Sequence, residues 1–348
     1  MESGRTVLTI VLVGALLALL GQVISVPYVV YRAGPAIDVL GRDGADTPTI
    51  GVKGAKTYPT TGSLYMTTVS QSGGPGRPLS VWDFLAAKLD PEAEIVPKSD
   101  VFPDDVTQKQ VEEQNTAAMA GSQDDAVAVA LRELGRPVRE KVTVAAVDPN
   151  MPAAGRLEKN DIITAVDGSP VATRKEVTDL VQKAAVGAPV RVSVLRGGKA
   201  RVVQVTPTTM DGRRLMGVAV SSTFSFDVDV DIRAGHIGGP SAGMMFALGV
   251  YDRLTPGALT GGTKIAGTGA ITPEGEVLPI GGIVHKMQGA VETSATHWFL
   301  APAQNCAEAA AHTPEGLRVV RVADFEDARK AVESIAAGKG DSLPRCAG

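Results

Sequence analysis

Two side chains in the carboxyl-terminal part of this chain have neighbours that suit covalent catalysis. Ser241 lies in Gly238-Gly239-Pro240-Ser241-Ala242-Gly243, which opens the apolar stretch Met244–Val250. Glycines let a backbone approach a substrate closely, and Pro240 suits the first turn of a helix. Ser241 then sits where unpaired N–H groups converge, as a developing oxyanion requires. Taken alone, the same residues describe a plain helix start. The second side chain is Lys286. If Ile283 starts a helix, Lys286, Met287 and Ala290 follow at +3, +4 and +7 on one apolar face. His285 falls instead with Gln288 and Glu292 on the wet face. Burial disfavours an ammonium, so Lys286 is a candidate general base for the Ser241 hydroxyl.

Composition narrows the remaining classes. The 348 residues carry a net charge of −4, with 44% hydrophobic, 21% charged and 4% aromatic residues. That is a globular composition with length for about two domains. A mildly acidic chain poor in aromatics gives no footprint for nucleic acid, double- or single-stranded. Two cysteines, Cys306 and Cys346, make at most one bridge, and the tail around Cys346 leaves that bridge open. Asp227, Asp229 and Asp231 alternate with apolar residues in Phe226–Ile232, which reads as a half-buried strand with a wet acidic face. A calcium loop would need glycine and glutamate where Ile232 and Gly238 stand. No G-x-x-x-x-G-K-[ST] sequence occurs, so no ATP site of that type is expected.

Several elements must hold this chemistry in place. Thr6–Tyr31 is uncharged, and Val7–Val26 is long and apolar enough to span about 30 Å of hydrocarbon. A transmembrane anchor is expected there, a cleaved signal peptide being the alternative. Gly62–Ser70 reads as a strand and Gln108–Leu134 as a helix stopped by Gly135-Arg136-Pro137. A compact unit follows, with strands at Val142–Val147 and Asp161–Gly168, a helix at Val171–Ala185 and a hairpin about Gly197-Gly198.

That order, with Met151-Pro152-Ala153-Ala154 and the D-I-I-x-x-V-D-G run of Asp161–Gly168, resembles a bacterial PDZ domain. The resemblance departs at Asn160, where the family usually has glycine. It implies a peptide groove between a sheet edge and the Val171–Ala185 helix, with a carboxylate-binding loop near Leu134–Val138.

A second resemblance covers the rest. GGPSAG, then Gly267-Thr268-Gly269-Ala270-Ile271, then Leu278-Pro279-Ile280-Gly281-Gly282 ahead of Lys286, is similar to the Lon-type serine peptidase domain. Trp298–Pro302, Leu317–Val322 and Phe325–Ala337 resemble its closing elements. The whole chain resembles bacterial membrane-bound PDZ/Lon-like proteases. This implies an α+β Lon-type proteolytic domain with an inserted PDZ domain, preceded by one transmembrane helix. The expected boundaries are a cytoplasmic end at 1–5, an anchor at 6–30, proteolytic parts at 31–136 and 213–338, a PDZ-like domain at 137–212, and a flexible tail at 339–348.

The resemblance further implies Ser241 as nucleophile, Lys286 as base and Thr268 as holder of the lysine amine. Backbone N–H groups around Gly239, Pro240 and Ser241 would bind the oxyanion. It departs at Gly238 and Ala270, both often acidic in Lon proteins. The implied protein is a serine endopeptidase without ATP, metal or cofactor, acting on protein or peptide substrates. It would be a homo-oligomer, as hexamers are common for such domains, on the cell membrane with both domains outside the cytoplasm. The rivals are a membrane-tethered PDZ adaptor with an inert Lon-like domain, and an α/β-hydrolase. The hydrolase lacks chain length after Ser241 and a supporting motif around His285, His297 or His312.

Overall fold

The computed structural model describes residues 11–347 other than Gly14, Leu17, Ala18, Leu20, Gly44, Ala45, Asp104 and His236. The chain forms two units, one from the residues through Leu134 together with those from Val228 onward, the other from Gly135–Asp227. Along the first segment run β1 (Tyr28–Asp38), β2 (Ile50–Lys53), β3 (Ser63–Ser72), α1 (Val81–Leu89), β4 (Glu94–Pro97) and α2 (Gln108–Glu133). The Gly135–Asp227 unit holds β5 (Val138–Val147), β6 (Ile162–Val166), α3 (Arg174–Lys183), β7 (Val190–Arg196), β8 (Lys199–Val205) and β9 (Val218–Phe226). The last segment adds β10 (Asp229–Ile232), α4 (Gly243–Leu254), β11 (Lys264–Gly267), α5 (Ile283–Ser294), β12 (Trp298–Pro302), β13 (Arg318–Val322) and α6 (Phe325–Ala336).

The first unit is built on a sheet ordered β13-β12-β11-β3-β1-β4. Strands β13, β12, β11 and β3 are parallel, and β1 is antiparallel to both β3 and β4. Parallel strands are covered on both faces, which is why β11 and β12 carry near-continuous apolar runs such as Phe299-Leu300-Ala301. Helix α4 is buried all round from Gly243 to Val250, so its sequence shows no polar stripe. Helix α2 packs on α4 and starts with a reciprocal cap between Thr107 and Gln110. Helix α5 lies on β1 and β3, where Gly289 lets it approach closely. A Cβ at Gly289 would stand 2.2 Å from the Gly34 carbonyl oxygen.

The second unit is a sheet ordered β8-β7-β6-β5-β9, with Ser169–Pro170 beside β6 and α3 over one face. Its core is almost entirely branched aliphatics, Val144, Ile163, Val166, Val192 and Val194 among them, which suit a pleated surface. Val177 and Val181 bring α3 onto that core.

Four sequence expectations are corrected here. The expected anchor lies partly outside the described residues, at 6–10, 14, 17, 18 and 20; its carboxyl-terminal boundary is too long. Helix ends at Val23, strand begins at Ser25, and Val29 and Val30 are buried in the sheet. Among the described residues no helix is long and apolar enough to cross a membrane. The inserted unit extends to Asp227 rather than 212, because β9 pairs with β5 along its whole length. Phe226–Ile232 is not one strand: β9 ends at Phe226, and β10 starts at Asp229 and pairs with β2 in the other unit's fold. The tail from 339 is not loose. Arg321 N–H donates to the Pro344 carbonyl (2.9 Å), Cys346 N–H to the Val319 carbonyl (3.1 Å), and Cys306 and Cys346 form a disulfide.

Candidate active site

The turn that carries Ser241 precedes helix α4, which begins at Gly243 rather than at Pro240. Bonds from two directions fix it. From the β11 side, Gly269 N–H (2.8 Å) and Thr268 Oγ1–H (3.0 Å) both donate to the Ser241 carbonyl, while Met244 N–H returns a bond to the Gly269 carbonyl (3.0 Å). From α2, Ser122 Oγ–H donates to the Pro240 carbonyl (2.8 Å), and the Asn115 carbonyl accepts from Gly239 N–H (3.0 Å). Gly239 has φ +87°, a conformation that favours glycine. Gly243 leaves room for Ser122, whose Oγ would otherwise lie 2.6 Å from a Cβ.

Lys286 enters from α5. Ile283, Met287 and Ala290 are fully buried on its face, and Lys286 itself is only 3% exposed. Its Nζ lies 2.7 Å from Ser241 Oγ and 3.0 Å from Thr268 Oγ1. Because the Thr268 hydroxyl hydrogen goes to the Ser241 carbonyl, Thr268 Oγ1 offers the amine a lone pair. Burial pushes the Lys286 pKa down to about 8. The loop before α5 is clamped by Asn305, whose side chain accepts from Ile280 N–H (2.9 Å) and donates to the Ile280 carbonyl (3.0 Å).

The structure thus brings Ser241, Lys286 and Thr268 into one contact. It alters two expectations. Gly239 N–H is engaged by Asn115 and Pro240 has no N–H, so neither offers an oxyanion donor in this conformation. Among the described residues the Ser241 N–H has no acceptor and is left for that role. His285 is not on a wet face; it is buried, with Nε2 3.0 Å from a Glu94 carboxylate oxygen on β4. Sequence reasoning missed Ser122, Asn115 and Asn305. Ser122 left the only trace, a hydroxyl at a helix position that turns out to be buried.

A cleft of about 940 Å³ opens beside the turn. Gly238 and Ile237 form one wall, and Asn115, Thr116, Met119 and Gln123 of α2 another. The Gly135–Asp227 unit has its own groove of about 540 Å³, between Val177 and Val181 of α3 and Val218–Val220 of β9. Strand β9 ends its sheet, whereas β5 is flanked by β6 and β9. The loop entering this groove is therefore Leu215–Gly217, and the expected position near Leu134–Val138 is corrected.

Comparisons with known proteins find the same two kinds of domain, with boundaries that differ from those of the two units at both ends of the insertion. Residues 211–332 match the Lon protease (S16) C-terminal proteolytic domain, and residues 108–206 match the PDZ domain. The two matches together support a PDZ-containing Lon-like protease. The PDZ match begins at 108, yet α2 belongs to the proteolytic unit, where it packs on α4. Among solved structures, the PDZ domain of an SdrC-like protein from Listeria monocytogenes is 28% identical, covering 23% of this chain and 85% of its own, with a TM-score of 0.22. Its counterpart from Listeria innocua is 28% identical, covering 23% of this chain and 92% of its own, with a TM-score of 0.22. A solution structure from Geobacillus thermodenitrificans is 37% identical, covering 21% of this chain and 84% of its own, with a TM-score of 0.20. A search of curated proteins gave no match.

Proposed function

We propose that this chain is an ATP-independent serine endopeptidase that works through a Ser241–Lys286 dyad. The observation that carries the reading is the 2.7 Å contact between a buried lysine amine and the serine hydroxyl. In the neutral form, Nζ accepts the Oγ proton as Oγ attacks the peptide carbonyl carbon. Ser241 N–H donates to the oxyanion, and Thr268 Oγ1 holds the amine in line. Collapse of the tetrahedral adduct passes the proton from the ammonium to the leaving amine and leaves an ester on Oγ. Water then hydrolyses the ester with Lys286 again as base. The chain holds no Walker sequence, so substrates would be already unfolded segments.

A single pass near residues 7–23 would anchor the protein in the cell membrane with both units outside the cytoplasm. The Cys306–Cys346 bridge supports that side, since disulfides persist in oxidising compartments. The PDZ unit would take an extended peptide along the free edge of β9. Arg136 and Asp227 pair at 2.7 Å and hold the two ends of the inserted unit together, so a short linker can replace it. Removing Gly135–Asp227 in this way is expected to lower cleavage of an unfolded protein much more than cleavage of a short peptide. Equal loss of both rates would show that the unit serves folding of the split domain instead. No cleavage by the intact chain in either assay, with peptide binding kept, would favour a tethered adaptor.

A further inference from the structure

Helix α1 has its amphipathicity reversed. Its inner face is formed by Ala87, buried, and by Phe84, whose ring lies 4.9 Å from that of Tyr28, with Lys88 over the Phe84 ring. Its outer arc is apolar: Trp82 and Leu85 are each 44% exposed and Leu89 is 86% exposed. Positions 82, 85 and 89 fall on one side of a helix. Helices of soluble proteins normally show the opposite arrangement, and an exposed apolar face of this kind marks a contact surface.

The face is continuous with the amino-terminal apolar segment. Gly21 is buried against the Trp82 indole, and a Cβ there would stand 2.2 Å from Nε1. Val81 N–H donates to the Ile24 carbonyl (3.2 Å), and Ser25–Val26 pairs with Leu79–Ser80. The side chains of Val11, Leu12, Leu16, Leu19 and Val23 are themselves half or more exposed. A tryptophan packed against the end of a long uncharged apolar run, with a lysine six residues further along the same helix, has the composition of a membrane–water boundary.

We propose that α1 lies on a lipid surface, with Trp82, Leu85 and Leu89 seated at the boundary between headgroups and acyl chains. The proposal rests on the anchored reading above and deepens it, because it places the proteolytic unit directly against the bilayer. The short connection between Val23 and Val81 through the Ser25–Val26 pairing would hold the unit at a fixed height and orientation. Its substrates would then be segments of proteins at or just above the membrane.

The test uses the full chain reconstituted into phosphatidylcholine–phosphatidylglycerol vesicles whose acyl chains are brominated close to the headgroup. Trp82 and Trp298 are the two tryptophans, so the Trp82 share of the emission is the difference between the native chain and Trp82→Phe. The expected result is loss of most of that share with shallow bromines and less with deep ones. Leu85→Glu with Leu89→Glu should restore it. An unquenched Trp82 overturns the proposal, and lysine cross-links between copies through Lys88 would then assign the face to a second copy. Alkaline carbonate washing separates this from the anchor: retention with an unquenched Trp82 sinks only the α1 surface. Release of a chain that had shown quenching sinks only the anchor.

Discussion

Ser241→Ala and Lys286→Ala are each expected to abolish peptide hydrolysis while leaving the fold intact. The loss should be about 10⁴-fold or more, the scale seen when a nucleophile or its base is removed from a serine protease. Lys286→Arg should fail as well, since a guanidinium cannot give up its proton. Thr268→Ala should lose an intermediate amount, about ten- to a hundredfold, because the amine keeps its serine partner but loses the lone pair that orients it. His285→Ala should keep most activity, as its ring is committed to Glu94 and not to Ser241. Hydrolysis of a short peptide by the purified variants, checked for folding by circular dichroism, decides the matter. Robust turnover by Lys286→Ala, or its loss with His285→Ala alone, would restore a histidine mechanism.

The second large effect is on stability, and its sign follows from the same lysine. The Lys286 pKa falls from 10.5 to about 8 in the folded chain because burial penalises the ammonium. At about 1.4 kcal/mol per pH unit, that is a cost of about 3 kcal/mol to folding when the lysine is charged in both the folded and unfolded chain. The cost is fully present below pH about 8 and is relieved as pH rises to 10.5, because in that window the unfolded chain binds more protons. Lys286→Met fills a similar volume without charge. It should therefore stabilise the protein by roughly 2–3 kcal/mol at pH 7. The gain should shrink between pH 8 and 10.5, as read from urea midpoints. A gain that stays constant with pH would mean that packing, not charge burial, is responsible.

The contact of Lys286 with Ser241 was legible because one apolar stripe of α5, Ile283-Met287-Ala290, places Lys286 on the buried side by helical period alone. The same rule misplaced His285. Helical period gives one buried face, but α5 is covered on a second side where Glu94 of β4 reaches it. The extent of the inserted unit was hidden for a different reason. Strand β9 joins its sheet beside β5, whose residues lie about eighty positions earlier, and that pairing leaves no local pattern. Val218–Phe226 is rich in serine, threonine and small apolar residues and shows no strict alternation of burial. The supports of the Ser241 turn were invisible too, because a carbonyl at Asn115 and a hydroxyl at Ser122 act through backbone geometry rather than through a motif. The disulfide was undecidable from spacing, since the tail's pairing with β13 is what brings Cys346 to Cys306.

The most direct test of the dyad is labelling of the intact protein by a peptidyl phosphonate, with the adduct located by peptide mapping. The account predicts a single adduct on Ser241, formed at a rate that climbs with pH to a plateau above about 8, and no adduct in Lys286→Ala. An unlabelled Ser241, or labelling that Lys286→Ala leaves unchanged, would contradict it.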